Sequence, residues 1–286
     1  MNLMVATARL LLLCCFLLTP LLCLAIPPEG DSPPGLHLND PQPTTILVRV
    51  VGHGAMVLGR EVGSARVTIT NVATKQILAT GIQQGDAGDQ NQIMRTPRLM
   101  EEPHYSSRPA AAFTATFGLL QPTLVEVAAE GPLAYPASSQ RASTTVWLVP
   151  GQDSTNDGIV LHLYGYIVQI EHPNPGEPLI ARDDVILSTS VRTLSGALVR
   201  PHGDWDSRKI HIYGELMIGE RILERLQLFY NHDRARFEAP FFVPLPNDAP
   251  DGITLRVVAT DPANGNSGVG QAKFPVLSER LKPQTR

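Results

Sequence analysis

The chain has 286 residues, of which 43% are hydrophobic, 6% aromatic and 17% charged, and its net charge is −4 at neutral pH. Because the balance is acidic and no basic run stands out, the composition argues against binding to nucleic acid or to anionic membrane surfaces. The low aromatic content also argues against an extended aromatic platform for sugars.

Residues 1–25 are typical of a cleaved signal peptide. Arg9 precedes an apolar stretch from Leu10 to Leu22, and Ala25 closes a small-residue cleavage site. Pro20 interrupts the apolar stretch, which is too short to cross a bilayer comfortably. We therefore expect a secreted or periplasmic protein with no membrane span in the mature chain.

All three cysteines, Cys14, Cys15 and Cys23, lie in this segment. A cysteine-free mature chain excludes disulfides, thiolate nucleophiles and zinc sites built on cysteine. Cleavage leaves 286 − 25 = 261 residues, enough for two domains with sizeable cores. The sequence also has no Asn-x-Ser/Thr glycosylation site, which fits a bacterial envelope.

The remaining chain predicts an all-β protein of two tandem β-sandwich domains. Alternating β-branched and polar residues indicate about seven strands in each half, among them one running from Ile159 to Ile170, and recurring Pro and Gly leave no amphipathic helix. The predicted segments are a flexible leader (26–43), a first domain (44–170) with a long loop (81–109), a proline-rich linker (171–178), a second domain (179–277) and a polar tail (278–286).

The stretch TLRVVATDPANGNSG, Thr254 to Gly268, predicts a strand that ends in a tight turn, and Gln271 to Leu277 supplies a returning strand. The motif V-x-A-x-D followed by G-N resembles the closing hairpin of bacterial immunoglobulin-like and fibronectin-III-like domains, over about the last hundred residues. The resemblance implies a β-sandwich fold and no particular activity. The ATG after KQIL, at Ala79 to Gly81, is similar to transthyretin-like, or carboxypeptidase-regulatory-like, domains.

Strand RKIHIYGELMI, within the second domain, predicts one core face and one wet face. Ile210, Ile212, Gly214, Leu216 and Ile218 alternate with Lys209, His211, Tyr213 and Glu215.

Three groups of residues are candidates for ligand binding. The segment RPHGDWD brings together an imidazole and two carboxylates that suit a divalent cation, or it forms a polar loop in which Trp205 caps the core. DSTNDG matches the front half of a calcium loop but has Tyr164 where the bidentate Glu should lie. A row of His and Tyr on one strand could make a small platform or pack half-buried. The candidates are His202, Asp204, Trp205, Asp206 and His211; Asp153 and Asp157; His162, Tyr164 and Tyr166; and His104 and Tyr105 in the long loop.

No serine elbow and no phosphate-binding loop occurs in the sequence, so we predict that the protein is not an enzyme and needs no cofactor. The favoured hypothesis is an exported binding or structural protein, an accessory or interaction subunit with a protein partner in the cell envelope. The alternative is a metal- or carbohydrate-binding module that uses the 200–211 loop. The sequence leaves a small ligand, a sugar or a divalent metal open.

Overall fold

The computed structural model describes residues 40–99, 102–107 and 110–278. The predicted signal peptide, most of the leader and most of the tail lie outside this part of the chain. Strands and loops make up nearly all of the described residues, which confirms the all-β prediction. The short helical turns are Arg60–Val62, Asn91–Arg95, Pro136–Ser138 and Ser207–Lys209.

Seven strands form a first pair of sheets. They are β1 (Gln42–Gly52), β2 (Arg66–Asn71), β3 (Ile77–Ile82), β4 (Phe113–Leu119), β5 (Thr123–Gly131), β6 (Gln140–Leu148) and β7 (Ile159–Leu163). One sheet has the order β4-β1-β7 and the other the order β3-β2-β5-β6. The β1–β7 pairing is parallel, and the other pairings in these two sheets are antiparallel. Buried residues of both sheets, such as Val48 and Val127, share one hydrophobic core.

Ten further strands form a second pair of sheets and a short parallel pair. They are β8 (Tyr166–His172), β9 (Leu179–Ile180), β10 (Asp184–Thr193), β11 (His211–Ile218), β12 (Arg221–Gln227), β13 (Phe229–Asn231), β14 (Arg236–Phe242), β15 (Ile253–Asp261), β16 (Asn266–Phe274) and β17 (Val276–Leu277). The sheet orders are β13-β14-β10-β8 and β12-β11-β15-β16, and β9 pairs with β17. Leu187 and Phe241 from one sheet meet Leu216 and Leu255 from the other in a second core. Two antiparallel sheets around one core are the arrangement of an immunoglobulin-like sandwich.

The predicted closing hairpin is present as β15 and β16, which pair from Ile253–Phe274 to Asp261–Asn266. Its alternation is also confirmed, since Leu255, Val257 and Ala259 are fully buried. Strand β16 passes so close to β8 that a methyl group on Gly268 would lie 2.4 Å from the carbonyl oxygen of Tyr166. Glycine at this position therefore allows the two sheets to meet along their edges.

The prediction of one strand from Ile159 to Ile170 is wrong. Strand β7 ends at Leu163, and β8 begins at Tyr166 and pairs with β10 in the second pair of sheets. Leu163 packs in the first core, whereas Tyr166 and Val168 pack in the second and Ile167 between them packs in the first. The chain thus enters the second pair of sheets before the proline-rich segment 171–178, and β8 contributes to both cores. The division into two domains stays a prediction, because all of the described residues fall in one compact unit.

The segment predicted as a long loop covers one sheet. Its residues Ile93 and Tyr105 pack with Val51 and Met56 in a third, smaller core. Val51 lies on the face of β1 that points away from the main core of the first pair of sheets, because Val48 and Val50 lie on the other face. The segment therefore shields an apolar sheet face that would otherwise be exposed to water.

Strand β11 has the predicted core face, on which Leu216 is buried, but the prediction of a wet opposite face is wrong at Glu215. This residue is 2% exposed. It lies between Arg225 on β12 and Arg256 on β15. Arg256 Nε is 2.7 Å from Glu215 Oε2, and Arg225 Nε is 3.3 Å from Oε1. Two guanidinium groups thus enclose a carboxylate on the outer face of the sheet.

We expect Glu215→Ala to lower the free energy of unfolding by about 2 kcal/mol, because it removes the carboxylate that accepts hydrogen bonds from Arg256 on β15 and pairs with Arg225 on β12. Urea unfolding of the purified chain measures the change. Glu224→Ala is the matched control, since Glu224 is exposed on β12. Equal effects of the two substitutions would show that the enclosed carboxylate stabilises the fold no more than an exposed one does.

Candidate functional site

The loops that the sequence singles out lie together, where the two pairs of sheets meet. Asp204 accepts hydrogen bonds from Arg95 and Gln90 of the long segment, each at 2.8 Å. The Trp205 indole N–H donates to the carbonyl oxygen of Gly54 at 2.9 Å. The ring also packs against both the second core and the third core. These two residues of the 200–206 loop therefore bind protein groups from the first half of the chain.

Asn266, which the sequence presents only as a turn former, completes this contact. It is 3% exposed. Its amide nitrogen donates to the carbonyl oxygen of His53 at 2.9 Å, and its amide oxygen accepts from the backbone N–H of Gly165 at 3.0 Å. A buried amide that bonds to two distant segments fixes their separation, because leaving either group unpaired would cost free energy. Sequence patterns could not reveal this role, since the partners lie far away along the chain.

The carboxylates of the 200–211 loop are already engaged by protein donors. Hydrogen bonds from Arg95 hold the pKa of Asp204 below its ordinary value. The side chain of Arg208 does the same for Asp206, whose Oδ1 also accepts from the backbone N–H of His202 at 3.2 Å. His211 lies exposed at the start of β11, opposite Thr260. A cation in this loop would have to replace hydrogen bonds that hold the loop in place.

The other two predicted metal ligands also bind backbone groups. Asp153 Oδ1 accepts from the N–H of Thr45 at 2.7 Å. The two oxygens of Asp157 accept from the N–H groups of His104 and Tyr105, at 2.7 and 2.8 Å. Asp157 thus anchors the long segment against the turn before β7. The described residues contain no group of three or more His, Cys, Asp or Glu side chains placed to hold a metal ion.

The predicted platform of His162, Tyr164 and Tyr166 does not form, because the strand divides between Tyr164 and Tyr166. Tyr164 is 49% exposed and stacks on the His53 ring at 4.0 Å between centroids. The His162 ring stands edge-on to His53, and burial lowers its pKa. Tyr166 instead enters the second core, where its exposure is 5%.

A cavity of about 160 Å³ lies beside these contacts, lined in part by His53, Tyr166, Trp205, Lys209 and Asn264. Sites for small molecules commonly measure about 300–1,000 Å³ and are largely apolar. This cavity is smaller and carries many polar groups, so it suits ordered water better than an organic ligand.

A different surface has the properties of a binding site. Ile186 on β10, Phe229 on β13, and Pro240 and Phe242 on β14 point outward from the same sheet, because their neighbours Leu187, Tyr230, Ala239 and Phe241 point into the core. We call these four outward side chains the apolar face. Phe229 is 64% exposed, Phe242 53% and Ile186 44%.

The register places the four side chains next to one another. Ile186 lies directly opposite Pro240 on the neighbouring strand. Phe242 follows Pro240 on the same side of β14, and Phe229 lies opposite Glu238, diagonal to Pro240. Opposed side chains in a sheet have Cβ atoms about 5 Å apart and diagonal ones about 7–8 Å. The apolar face is therefore continuous.

The sequence of β14 contains a signal for this face. Ala239 to Val243 is a run of five apolar residues, the first four of which lie in β14. An antiparallel strand with one solvated face should alternate between apolar and polar residues. The break in alternation marks the end of β14 that is apolar on both faces.

Glu238 closes one side of the apolar face with a polar network. It accepts from Asn231 Nδ2 at 2.8 Å and from Ser188 Oγ at 3.2 Å, and Arg234 lies 3.4 Å away. The hydrogen bond from Asn231 is the main cause that holds the pKa of Glu238 below its ordinary value. The apolar face thus has a charged, hydrogen-bonded rim, as protein interfaces commonly do.

Alkaline pH tests the burial of Tyr166. Burial, and secondarily the nearby Asp261, raise the pKa of Tyr166 from 10.0 to about 12. A raised folded-state pKa gives stability that is complete below the unfolded value and is lost as pH rises from 10 towards 12. We expect Tyr166→Phe to reduce the decline of the unfolding free energy over this range, measured in urea at several pH values. An unchanged decline would contradict the burial.

Release of the long segment tests the contact at the junction. In Asp204→Ala the guanidinium of Arg95 and the amide of Gln90 lose their acceptor. We expect trypsin to cleave after Arg95 or Arg98 several-fold faster than in the unaltered chain. Asp233→Ala is the control, since Asp233 is exposed on a distant hairpin. Equal cleavage rates in the unaltered chain and in Asp204→Ala would refute a fastening role for Asp204.

No protein-family model and no curated protein matches this chain. Among solved structures, it is similar to the fibronectin(III)-like modules of Clostridium thermocellum CbhA, with 8% identity, 84% of this chain and 96% of that chain covered, and a TM-score of 0.24. It is also similar to Rst D1-D2, with 14% identity, 83% and 97% covered, and a TM-score of 0.26. Scores this low do not establish a common fold. The sandwich assignment therefore rests on the sheets and cores described above.

Proposed function

We propose that the protein is an exported, non-catalytic interaction subunit that binds a protein partner of the cell envelope through the apolar face. The exposure of two phenylalanines side by side with Ile186 and Pro240 is the observation that carries this proposal. Contiguous apolar patches rimmed by polar residues mark protein interaction sites on soluble folds. Aromatic side chains are also enriched where partners bury surface.

A partner that covers the apolar face explains why the alternation of β14 breaks down. Phe242 and Phe229 are both more than half exposed, so folding alone buries less than half of either side chain. Burying one such side chain against a partner yields roughly 1.5–3 kcal/mol. Binding energy is therefore available at this surface without a pocket.

The hydrogen bonds of the polar candidate residues support the absence of catalysis. Asp204 and Asp206 bind arginines, and Asp157 binds two backbone N–H groups of the long segment. Groups held in this way serve to position loops, and none is presented as a free base or nucleophile. The predicted signal peptide, and the lack of cysteine in the sequence after it, support a location outside the cytoplasm. No helix of the described residues is long and apolar enough to cross a membrane.

Photo-crosslinking in cells tests the proposal. A benzoylphenylalanine at position 242 should form a discrete crosslinked product, because the apolar face is covered by protein. The matched control is the same group in place of Val269, which is 48% exposed on the outer face of the opposite sheet. We expect no product, or a much weaker one, at position 269.

Two outcomes would count against the proposal. One is an absence of product at position 242 in cells that make the protein at its natural level. The other is equal crosslinking at positions 242 and 269, which would indicate random encounters. Phe229→Ser should also reduce the product at position 242 while leaving the melting temperature nearly unchanged, since Phe229 is exposed.

A further inference from the structure

We propose that His53 and His162 together bind a divalent transition-metal ion, Cu²⁺ most tightly, with water in the remaining coordination positions. The inference goes beyond the proposed function, because it concerns a different part of the molecule from the apolar face. Imidazole nitrogen suits copper, nickel and zinc, whereas calcium and magnesium prefer oxygen ligands. Among the first three metals, copper generally binds a given site most tightly.

The sheet brings these two histidines together although they lie far apart along the chain. His53 directly follows β1, and its backbone N–H donates to the carbonyl oxygen of Leu163 at 2.8 Å. His162 lies on β7, opposite Val51 of β1. The centroids of the two imidazole rings are 5.9 Å apart. A metal ion bound to two imidazole nitrogens at about 2.0 Å places the ring centroids roughly 4.5–6.3 Å apart, so both rings can bind one ion.

The ring nitrogens of this pair are free of protein partners among the described residues. His162 Nδ1 is buried and has no hydrogen-bond partner, which is rare for a buried polar atom. The His53 ring also makes no hydrogen bond to another described residue. His104 differs, because its Nε2 lies 2.8 Å from the carbonyl oxygen of Ile93. The nitrogen lone pairs of His53 and His162 are therefore available to an ion.

The surroundings hold the two rings in place and favour the neutral form of His162. Tyr164 stacks on the His53 ring, and Tyr105 stands edge-on to the His162 ring at 6.1 Å between centroids. Burial, and secondarily the nearby His53 and Arg98, lower the pKa of His162. Neutral imidazole is the form that binds metal ions. An ion therefore meets rings that are already positioned and need not release a proton from His162.

The site has two protein ligands, so its affinity should be modest. The part of the chain that the structure describes places no third His, Cys, Asp or Glu with this pair to hold a metal ion. Resident zinc sites in proteins use three or four protein ligands. We therefore expect a dissociation constant in the micromolar range. The partial exposure of His53, and that of Tyr164 at 49%, leaves the ion open to water on one side.

Calorimetric titration of the purified chain from residue 26 with copper(II) chloride tests the inference. We expect one Cu²⁺ per chain in the micromolar range, and its electron paramagnetic resonance spectrum should show coupling to two imidazole nitrogens. His53→Gln and His162→Gln should each weaken this binding at least tenfold, because each leaves a single imidazole. His211→Gln is the matched control and should not weaken it, since His211 lies exposed at the start of β11.

A gain of affinity provides a sharper arm, because misfolding cannot produce it. The positive charge of Arg98 acts on His162 and would repel a dication bound there. Arg98→Ala should therefore tighten Cu²⁺ binding several-fold. Arg221→Ala controls for the change in net charge, since Arg221 is exposed on β12 and should leave the affinity unchanged. Circular dichroism and melting temperature confirm that each variant is folded.

Three results would overturn the inference. The first is the absence of any Cu²⁺ binding tighter than about 100 µM in the unaltered chain, which would leave water as the only partner of His162 Nδ1. The second is a loss of binding in only one of the two histidine variants, or an equal loss in His211→Gln. The third is an affinity that Arg98→Ala leaves unchanged or lowers. The proposed function is judged separately, by the crosslink at position 242.

Discussion

A β-sheet has two faces, and a hydrophobic core covers only one of them. The sheets of this protein differ in what covers the second face. The outer face of β1 is covered by the long segment, which brings Ile93 and Tyr105 onto Val51. The outer face of β11 carries Glu215, which is enclosed by two arginines. The outer face of β10, β13 and β14 carries the apolar face, which is not covered by any part of the chain that the structure describes.

The loops that most resemble a metal or ligand site help to hold the sheets together. Trp205, Asp204 and Asn266 each bind a backbone or side-chain group from the first half of the chain. Their polar atoms are therefore engaged in hydrogen bonds that hold loops and sheets together. Residues of the same types could equally form a metal or ligand site, because aspartate, histidine and tryptophan serve both purposes. The distinction lies in which donors reach them, and those donors come from distant segments.

Local sequence patterns predicted the features that depend on neighbouring residues along the chain. Alternation identified the closing hairpin and the core positions Leu255 and Val257, because a strand places every second residue on one face. The same reasoning failed at Glu215, whose burial depends on Arg225 and Arg256 from two flanking strands. It also failed to divide the chain at Gly165, because Ile159–Ile170 alternates well enough for one strand. The apolar face could have been predicted from the sequence, since Ala239–Val243 breaks the alternation of apolar and polar residues.

The central claim is that the apolar face is covered when the protein is in its natural surroundings. Hydroxyl-radical footprinting tests it directly, by comparing the oxidation of Phe229 and Phe242 in intact cells with that in dilute purified protein, and with Trp147 as the internal reference. The account predicts that both phenylalanines are protected in cells relative to Trp147. Equal oxidation of the phenylalanines in cells and in dilute solution would contradict it.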